Sequence, residues 1–187
     1  MQQYKLILYP ALADNLQMEV IITALMNCGL ISGKSIHDKY LAGDSFLNLL
    51  TFLGCSPDVC LTPQDDDKFC HIIIRPPQST IRCLGHTATA VARCPHCKNK
   101  IPHWRQTKDW ESGETFCSCH HCHAETAMQD MIWKQECAYG CMAVEIINIH
   151  PFEAVPAENL LQVLQDATGV EWNYSYAFDK WQVPRYK

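Results

Sequence analysis

The sequence predicts an α+β fold of the ferredoxin-like kind, in which two β-α-β halves share one sheet and two helices cover it. Strand-like and helix-like runs alternate in each half of the chain, and a cysteine-rich block separates the halves. Hydrophobic residues make up 48% of the 187 residues, which is enough to bury a hydrophobic core. The cysteine-rich block is expected to be an insertion between the second and third strands, where a longer connection costs little free energy.

The first half of the chain carries two strand-like runs with helical patterns between them. Residues 4–9 are expected to form the first strand, and residues 69–74 the second. Between them, Asp14 is a candidate N-cap of a helix that Gly29 terminates. A second, shorter helix is expected over residues 44–53, because its leucines and Phe46 recur at helical spacing.

The second half repeats the pattern. Residues 142–149 predict a strand, Pro156 suits the first position of a helix, and Gly169 suits its end. Four aromatic residues then alternate with smaller ones, as in a strand with one buried face. The aromatic residues are expected to build the core, and the residues between them to face water; the alternative is a base-stacking surface. The aromatic set is Trp172, Tyr174, Tyr176 and Phe178, and the intervening set is Asn173, Ser175 and Ala177.

Composition narrows the function classes. The net charge is −5 and the pI about 5.9, which disfavours nucleic acid as a partner because binding to phosphates needs a basic face. No apolar run reaches the length of a membrane helix or of a signal-peptide core. Twelve cysteines without an export signal indicate a reducing compartment, so the protein is expected to be cytoplasmic.

Two C-x-x-C motifs, Cys94-Pro-His-Cys97 and Cys119-His-His-Cys122, predict a metal site. Zinc takes four ligands in a tetrahedron, and thiolates are typical of its structural sites. Four thiolates leave no open coordination position for catalysis. The sequence therefore predicts one structural zinc ion.

This block resembles the zinc-ribbon family over residues 93–127, because its first motif is followed by basic residues and Ile101. The resemblance implies a metal that stabilises the fold, and it implies no particular activity. Two features depart from the family pattern. Lys98 and His123 stand where such knuckles usually carry glycine, and Cys117 is a possible alternative to one ligand of the second pair.

The expected domain organisation follows from this resemblance. Residues 1–92 and 128–187 together are predicted to form one α+β domain, with residues 93–127 as an inserted ribbon. The leading hypothesis is a module that binds another protein, as an adaptor, regulatory or immunity-type protein does. The ribbon is too small to bury two tryptophans, so at least one is expected to be exposed as an interface anchor. The candidate anchors are Trp104, Arg105 and Trp110.

Three alternatives remain open from the sequence. A nucleic-acid or ribosome-associated factor would need the ribbon's basic residues on one face, namely Lys98, Lys100, Arg105 and Lys108. An enzyme would need a pocket near His150 and Glu153, or near His86. A zinc storage or delivery protein would use the surplus histidines and cysteines. Two other cysteine pairs, Cys55/Cys60 and Cys137/Cys141, have no C-x-x-C spacing and no assigned role.

Overall fold

The computed structural model describes residues 2–11, 16–34, 39–54, 59–63 and 68–180, and these form a mixed α/β structure with more strand than helix. The predicted N-cap Asp14 and the predicted pair member Cys55 lie outside the described residues. Within the described ranges, no helix is long and apolar enough to cross a membrane.

The helices are α1 Met18–Asn27, α2 Phe46–Leu49 and α3 Glu158–Thr168. The strands, in chain order, are β1 Gln2–Pro10, β2 Ile31–Lys34, β3 Tyr40–Ala42, β4 Leu50–Phe52, β5 His71–Arg75, β6 Arg82–His86, β7 Ala92–Arg93, β8 Lys100–Ile101, β9 Phe116–Ser118, β10 Glu125–Ala127, β11 Cys137–Gly140, β12 Ala143–Ile147, β13 Ala154–Pro156 and β14 Trp172–Lys180. Short 3₁₀ turns lie at Trp104–Gln106 and Met128–Asp130.

The main sheet has six strands in the order β14-β1-β12-β5-β3-β2, and every neighbouring pair is antiparallel. Four neighbouring strands of this sheet, β1, β5, β12 and β14, form its central part. Numbered by their order in the chain, they lie side by side as fourth, first, third and second. Helix α1 follows the first of them, α3 follows the third, and the two helices pack against each other.

The main core lies between this sheet and the helices. Alternation along β1 points Leu6 and Leu8 into it, where they meet Ile21 and Leu25 of α1 and Leu164 of α3. Gly29 and Gly169 follow the helices with φ of 77° and 74°, so both helices end as the sequence predicts.

The opposite face of the sheet is covered by the connection that runs from residue 76 to residue 142. Strands β6 and β11 pair with each other, and this strand pair packs on β14 and β1. Ile7 and Ala177 are fully buried in a second, small core with Leu84 of β6 packed against it.

This second core corrects one prediction. Ser175 and Ala177 were expected to face water, but both are 0% exposed. The physical reason is that the long connection covers the face on which they lie. The sheet is therefore buried on both sides at β14.

A buried ion pair lies on the same face. Lys5 Nζ donates to Glu145 Oε1 at 2.7 Å, and Arg75 Nε donates to Glu145 Oε2 at 2.9 Å. Lys5 and Glu145 are both buried, so each depends on the other for compensation of its lost hydration. Replacing Glu145 alone would leave a buried ammonium without its carboxylate, a loss that typically costs about 3–5 kcal/mol.

Three predicted helix boundaries are wrong. The first helix has Gln17 as its N-cap and begins at Met18, later than an N-cap at Asp14 predicts. The helix expected over residues 44–53 is a single turn, and β4 follows it at once and pairs with β13. The leucines in this segment lie first in a helical turn and then in a strand. Their spacing alone does not distinguish this arrangement from one continuous helix. Pro156, expected to begin the last helix, instead ends β13, and α3 begins at Glu158.

The aromatic residues of β14 are core residues, as expected, at two positions. Trp172 and Tyr176 are buried in the main core, and the Tyr176 hydroxyl donates to Ala154 O at 2.8 Å. Tyr174 packs at the edge of this core, and the Phe178 ring lies 4.8 Å from the Tyr4 ring. Rings engaged in this way do not form an open stacking surface.

We expect Gly85→Ala to destabilise the protein by about 1–3 kcal/mol, as overpacking does. A Cβ at Gly85 would lie 2.6 Å from Ala177 Cβ, and the φ of 151° disfavours any L side chain. Urea unfolding measures the change. The matched control is Gly33→Ala, because a Cβ at Gly33 meets nothing within 4 Å. Equal stability of the two variants would show that β6 does not need this close approach.

Candidate metal centre

The two C-x-x-C motifs form equivalent turns at the tips of two short hairpins, β7/β8 and β9/β10. In the first turn, Lys98 N–H donates to Cys94 O at 2.9 Å. In the second, His123 N–H donates to Cys119 O at 2.8 Å. The same backbone hydrogen bond therefore shapes both turns and points each pair of sulfurs outward from its turn.

The residue after each motif adopts the left-handed conformation. Lys98 has φ of 62° and His123 has φ of 60°. These are the two positions at which the sequence departs from the glycine of a ribbon knuckle. A lysine and a histidine adopt the left-handed conformation here, which costs roughly 1–2 kcal/mol per residue.

The four sulfurs of Cys94, Cys97, Cys119 and Cys122 lie within 4.8 Å of one another. The Cys94–Cys122 and Cys97–Cys119 sulfur pairs are each 3.6 Å apart, far beyond a disulfide bond. A tetrahedron with metal–sulfur bonds of about 2.3 Å has edges of roughly 3.8 Å. The cluster therefore has the size of a four-thiolate metal site. It is the one group of three or more His, Cys, Asp or Glu ligands that converge in the described part of the chain.

The electrostatics of the cluster are uneven. The backbone N–H of Asn99 donates to the Cys97 sulfur and, with its side chain, lowers the pKa of Cys97 to about 6. The N–H of Ala124 acts on Cys122 in the same sense. Burial and the neighbouring sulfurs outweigh that effect and raise the pKa of Cys122 to about 12. Without a cation the four thiolates repel one another, so a bound metal ion would displace the remaining protons.

The alternative ligand Cys117 lies outside this group. Its side chain is buried in the insertion's core, and its sulfur accepts a hydrogen bond from Thr107 Oγ1 at 3.5 Å. Strand alternation explains this placement, because Cys117 points inward from β9 while Phe116 and Ser118 point outward. The same alternation makes Phe116 an exposed aromatic residue, which the sequence analysis did not single out.

Trp104 is not the exposed interface anchor that the sequence predicts. It is 0% exposed, and its indole N–H donates to Ala90 O at 3.0 Å. Trp133 and Trp110 pack edge-to-face on it at 4.8 and 5.1 Å. The hydrophobic core around Trp104 includes residues from Ala90 to Tyr139, beyond the predicted ribbon of residues 93–127, and it is large enough to accept the indole.

The other two predicted anchors are partly engaged. Trp110 is half-buried against the same core, and its carbonyl accepts a hydrogen bond from the Tyr139 hydroxyl at 2.7 Å. The Arg105 guanidinium lies 4.1 Å from the Trp104 ring centre and donates to Thr87 O at 3.2 Å. Arg105 is exposed, and its role as an interface residue remains a prediction.

His150 and Glu153 hold a turn. The His150 backbone N–H donates to a Glu153 carboxylate oxygen at 3.1 Å, and the Glu153 N–H donates back to His150 O at 3.1 Å. The His150 ring packs on Tyr4, with the ring centres 4.2 Å apart. These contacts give both residues a structural role.

Comparison of the chain with protein-family models, with curated proteins and with solved structures finds no match. The function is therefore inferred from the geometry of the site.

We expect purified protein to contain one tightly bound metal ion per chain and Cys97→Ser to lose it, because three thiolates leave the tetrahedron incomplete. The control is Cys28→Ser, in which the hydroxyl can keep the hydrogen bond that the Cys28 thiol donates to Leu25 O. Elemental analysis measures the metal. Full occupancy in Cys97→Ser would show that another residue completes the site.

We expect His123→Gly to bind the metal at least as tightly as the natural chain and His123→Val to bind it roughly five- to thirty-fold more weakly. Glycine accepts a positive φ without strain, whereas a β-branched residue does not. Competition with a chromophoric chelator measures the affinities. His121→Val is the control, since His121 is exposed and has no positive φ. An equal loss in that control would contradict the conformational explanation.

Proposed function

We propose that the protein is a zinc-binding interaction module, in which a zinc ribbon inserted into a ferredoxin-like sandwich docks on another protein. The strand order fourth, first, third, second, with both helices on one face, supports the ferredoxin-like description. The position of both knuckles in the connection between β5 and β12 supports the insertion.

Zinc is the metal that suits this cluster best. Four thiolates in a tetrahedron select zinc or iron among the common metals, and a mononuclear site of this kind is typical of structural zinc. All four positions are taken by protein ligands, so the ion would stabilise the two hairpins and would have no open position for a substrate or water.

The observation that carries the docking proposal is the surface beside the metal cluster. Phe116 is 64% exposed on β9. Ser118, which points outward on the same strand, lines a groove of about 530 Å³ together with Ile101, Pro102 and His120. An exposed aromatic ring next to a groove, on hairpins held by a metal, is a suitable anchor for a protein partner.

A protein suits this surface better than a nucleic acid does. The net charge of −5 offers few partners for phosphates. Of the four basic residues that a nucleic-acid face would need, Arg105 lies on the Trp104 ring and donates to Thr87 O. Asp109 of the predicted ribbon pairs with Arg82 of β6 at 3.8 Å, so an acidic residue lies close to the basic ones.

Affinity capture from cells that make the protein tests the proposal. We expect Phe116→Ala to lose the bound partner by at least tenfold while the melting temperature changes little, as for an exposed hot-spot residue. Leu53→Ala is the matched control, because Leu53 is also 64% exposed but lies after β4 in the main domain. Retained binding in Phe116→Ala, or equal loss in Leu53→Ala, would contradict docking at the ribbon.

A further inference from the structure

A second pair of cysteines comes together outside the metal cluster. Cys83 on β6 and Cys137 on β11 have their sulfurs 3.9 Å apart, within hydrogen-bonding distance for two thiols. Cys83 is opposite Tyr139, and Cys137 is opposite His86. Leu84 has no partner in this register, and the resulting bulge puts His86 on the same face as both cysteines.

The two thiols have unequal surroundings. Cys83 is partly exposed, whereas Cys137 is buried. The hydrogen bond from Cys137 lowers the pKa of Cys83. A backbone hydrogen bond from Gly85 and the Lys5 ammonium group act in the same direction, and together they outweigh the opposing effects of burial and of Glu111. Burial raises the pKa of Cys137 well above its usual value. The surroundings of Cys83 therefore favour its thiolate more than the surroundings of Cys137 do.

A small cavity adjoins the pair on the side of Cys137. Cys137 lines a cavity of about 190 Å³ together with Tyr9, Trp133, Tyr139 and Asn173. This volume is several times the roughly 30 Å³ that one water occupies in the liquid, so a molecule as small as hydrogen peroxide fits inside it.

We propose that Cys83 and Cys137 are a site of reversible oxidation that reacts with hydrogen peroxide. The Cys83 thiolate attacks one peroxide oxygen, the O–O bond breaks, and Cys83 becomes a sulfenic acid while hydroxide leaves and takes up a proton as water. Cys137 then attacks the Cys83 sulfur. The S–O bond breaks, the hydroxyl leaves as water with the Cys137 proton, and a disulfide forms. Two electrons pass from the two sulfurs to the peroxide, and an external dithiol returns them by exchange.

Formation of the disulfide requires the two sulfurs to come closer. Cys83 and Cys137 are diagonal neighbours across the β6/β11 strand pair, and their sulfurs must approach from 3.9 Å to about 2.05 Å. An external dithiol then reverses the bond by thiol–disulfide exchange.

The test uses the full-length, metal-loaded protein. It is treated with hydrogen peroxide, its free thiols are alkylated, and its tryptic peptides are analysed by mass spectrometry. Cleavage after Arg82 and Arg93 gives a peptide in which Cys83 is the only cysteine. The peptide that follows Lys134 contains both Cys137 and Cys141, so fragmentation between these two cysteines identifies which of them is linked to Cys83. We expect a Cys83–Cys137 cross-link that dithiothreitol removes, while the metal content stays constant.

Variants identify the attacking sulfur. In Cys137→Ala, Cys83 should accumulate as a sulfenic acid that dimedone labels, and in Cys83→Ala, Cys137 should remain reduced. Cys28→Ser is the matched control, because Cys28 is also partly exposed but lies outside the pair, and this variant should form the cross-link as the natural chain does.

The rates at which individual cysteines of the natural chain react with hydrogen peroxide give a test that needs no variant. Cys83 should react at least roughly tenfold faster than Cys28, as expected for a thiolate beside a thiol. Absence of the cross-link while the metal remains bound, or equal rates at Cys83 and Cys28, would overturn the proposal.

Discussion

The close packing of the β6/β11 strand pair on β14 is the contact on which the rest of the structure depends. Gly85 lies against Ala177 with no space for a methyl group, and this contact covers Ile7 and the Lys5–Glu145 ion pair. A buried ion pair is stable only while water stays excluded and its hydrogen bonds are kept. The long connection therefore contributes to the core of the sheet and also carries the four-cysteine cluster.

This double role explains which parts of the fold could be predicted. The strands and the two long helices follow from periodicity and from Gly29 and Gly169, because these signals are local. The burial of Ser175 does not follow from its own neighbourhood in the sequence. A small polar residue that alternates with aromatic residues usually faces water, and here it faces a segment that lies more than thirty residues earlier in the chain.

The candidate site divides in the same way. The C-x-x-C spacing was sufficient to predict which four sulfurs converge, since each pair is brought together by one turn. Even the departures at Lys98 and His123 are local, because the backbone reaches the left-handed conformation without glycine. The environment of Trp104 is a long-range property: its indole bonds Ala90 and packs on Trp133, and neither contact has a signature in the sequence. Trp104 is therefore not an exposed aromatic residue, whereas Phe116, the outward-facing neighbour of buried Cys117, is one.

The metal cluster and the Cys83–Cys137 pair share one hydrophobic core. Cys94 and Cys119 lie in it with Trp104, and so does Cys137; Cys83 packs against its edge. Protein interiors are close-packed and transmit strain, so a change at one pair of sulfurs acts on the packing around the other. Four thiolates that bind a metal would be protected from oxidation, whereas two thiols without a metal would remain open to it. The position of each cysteine therefore indicates its chemistry. The four cysteines that converge from two turns are suited to bind a metal. The two that meet across a bulge between paired strands are suited to reversible oxidation.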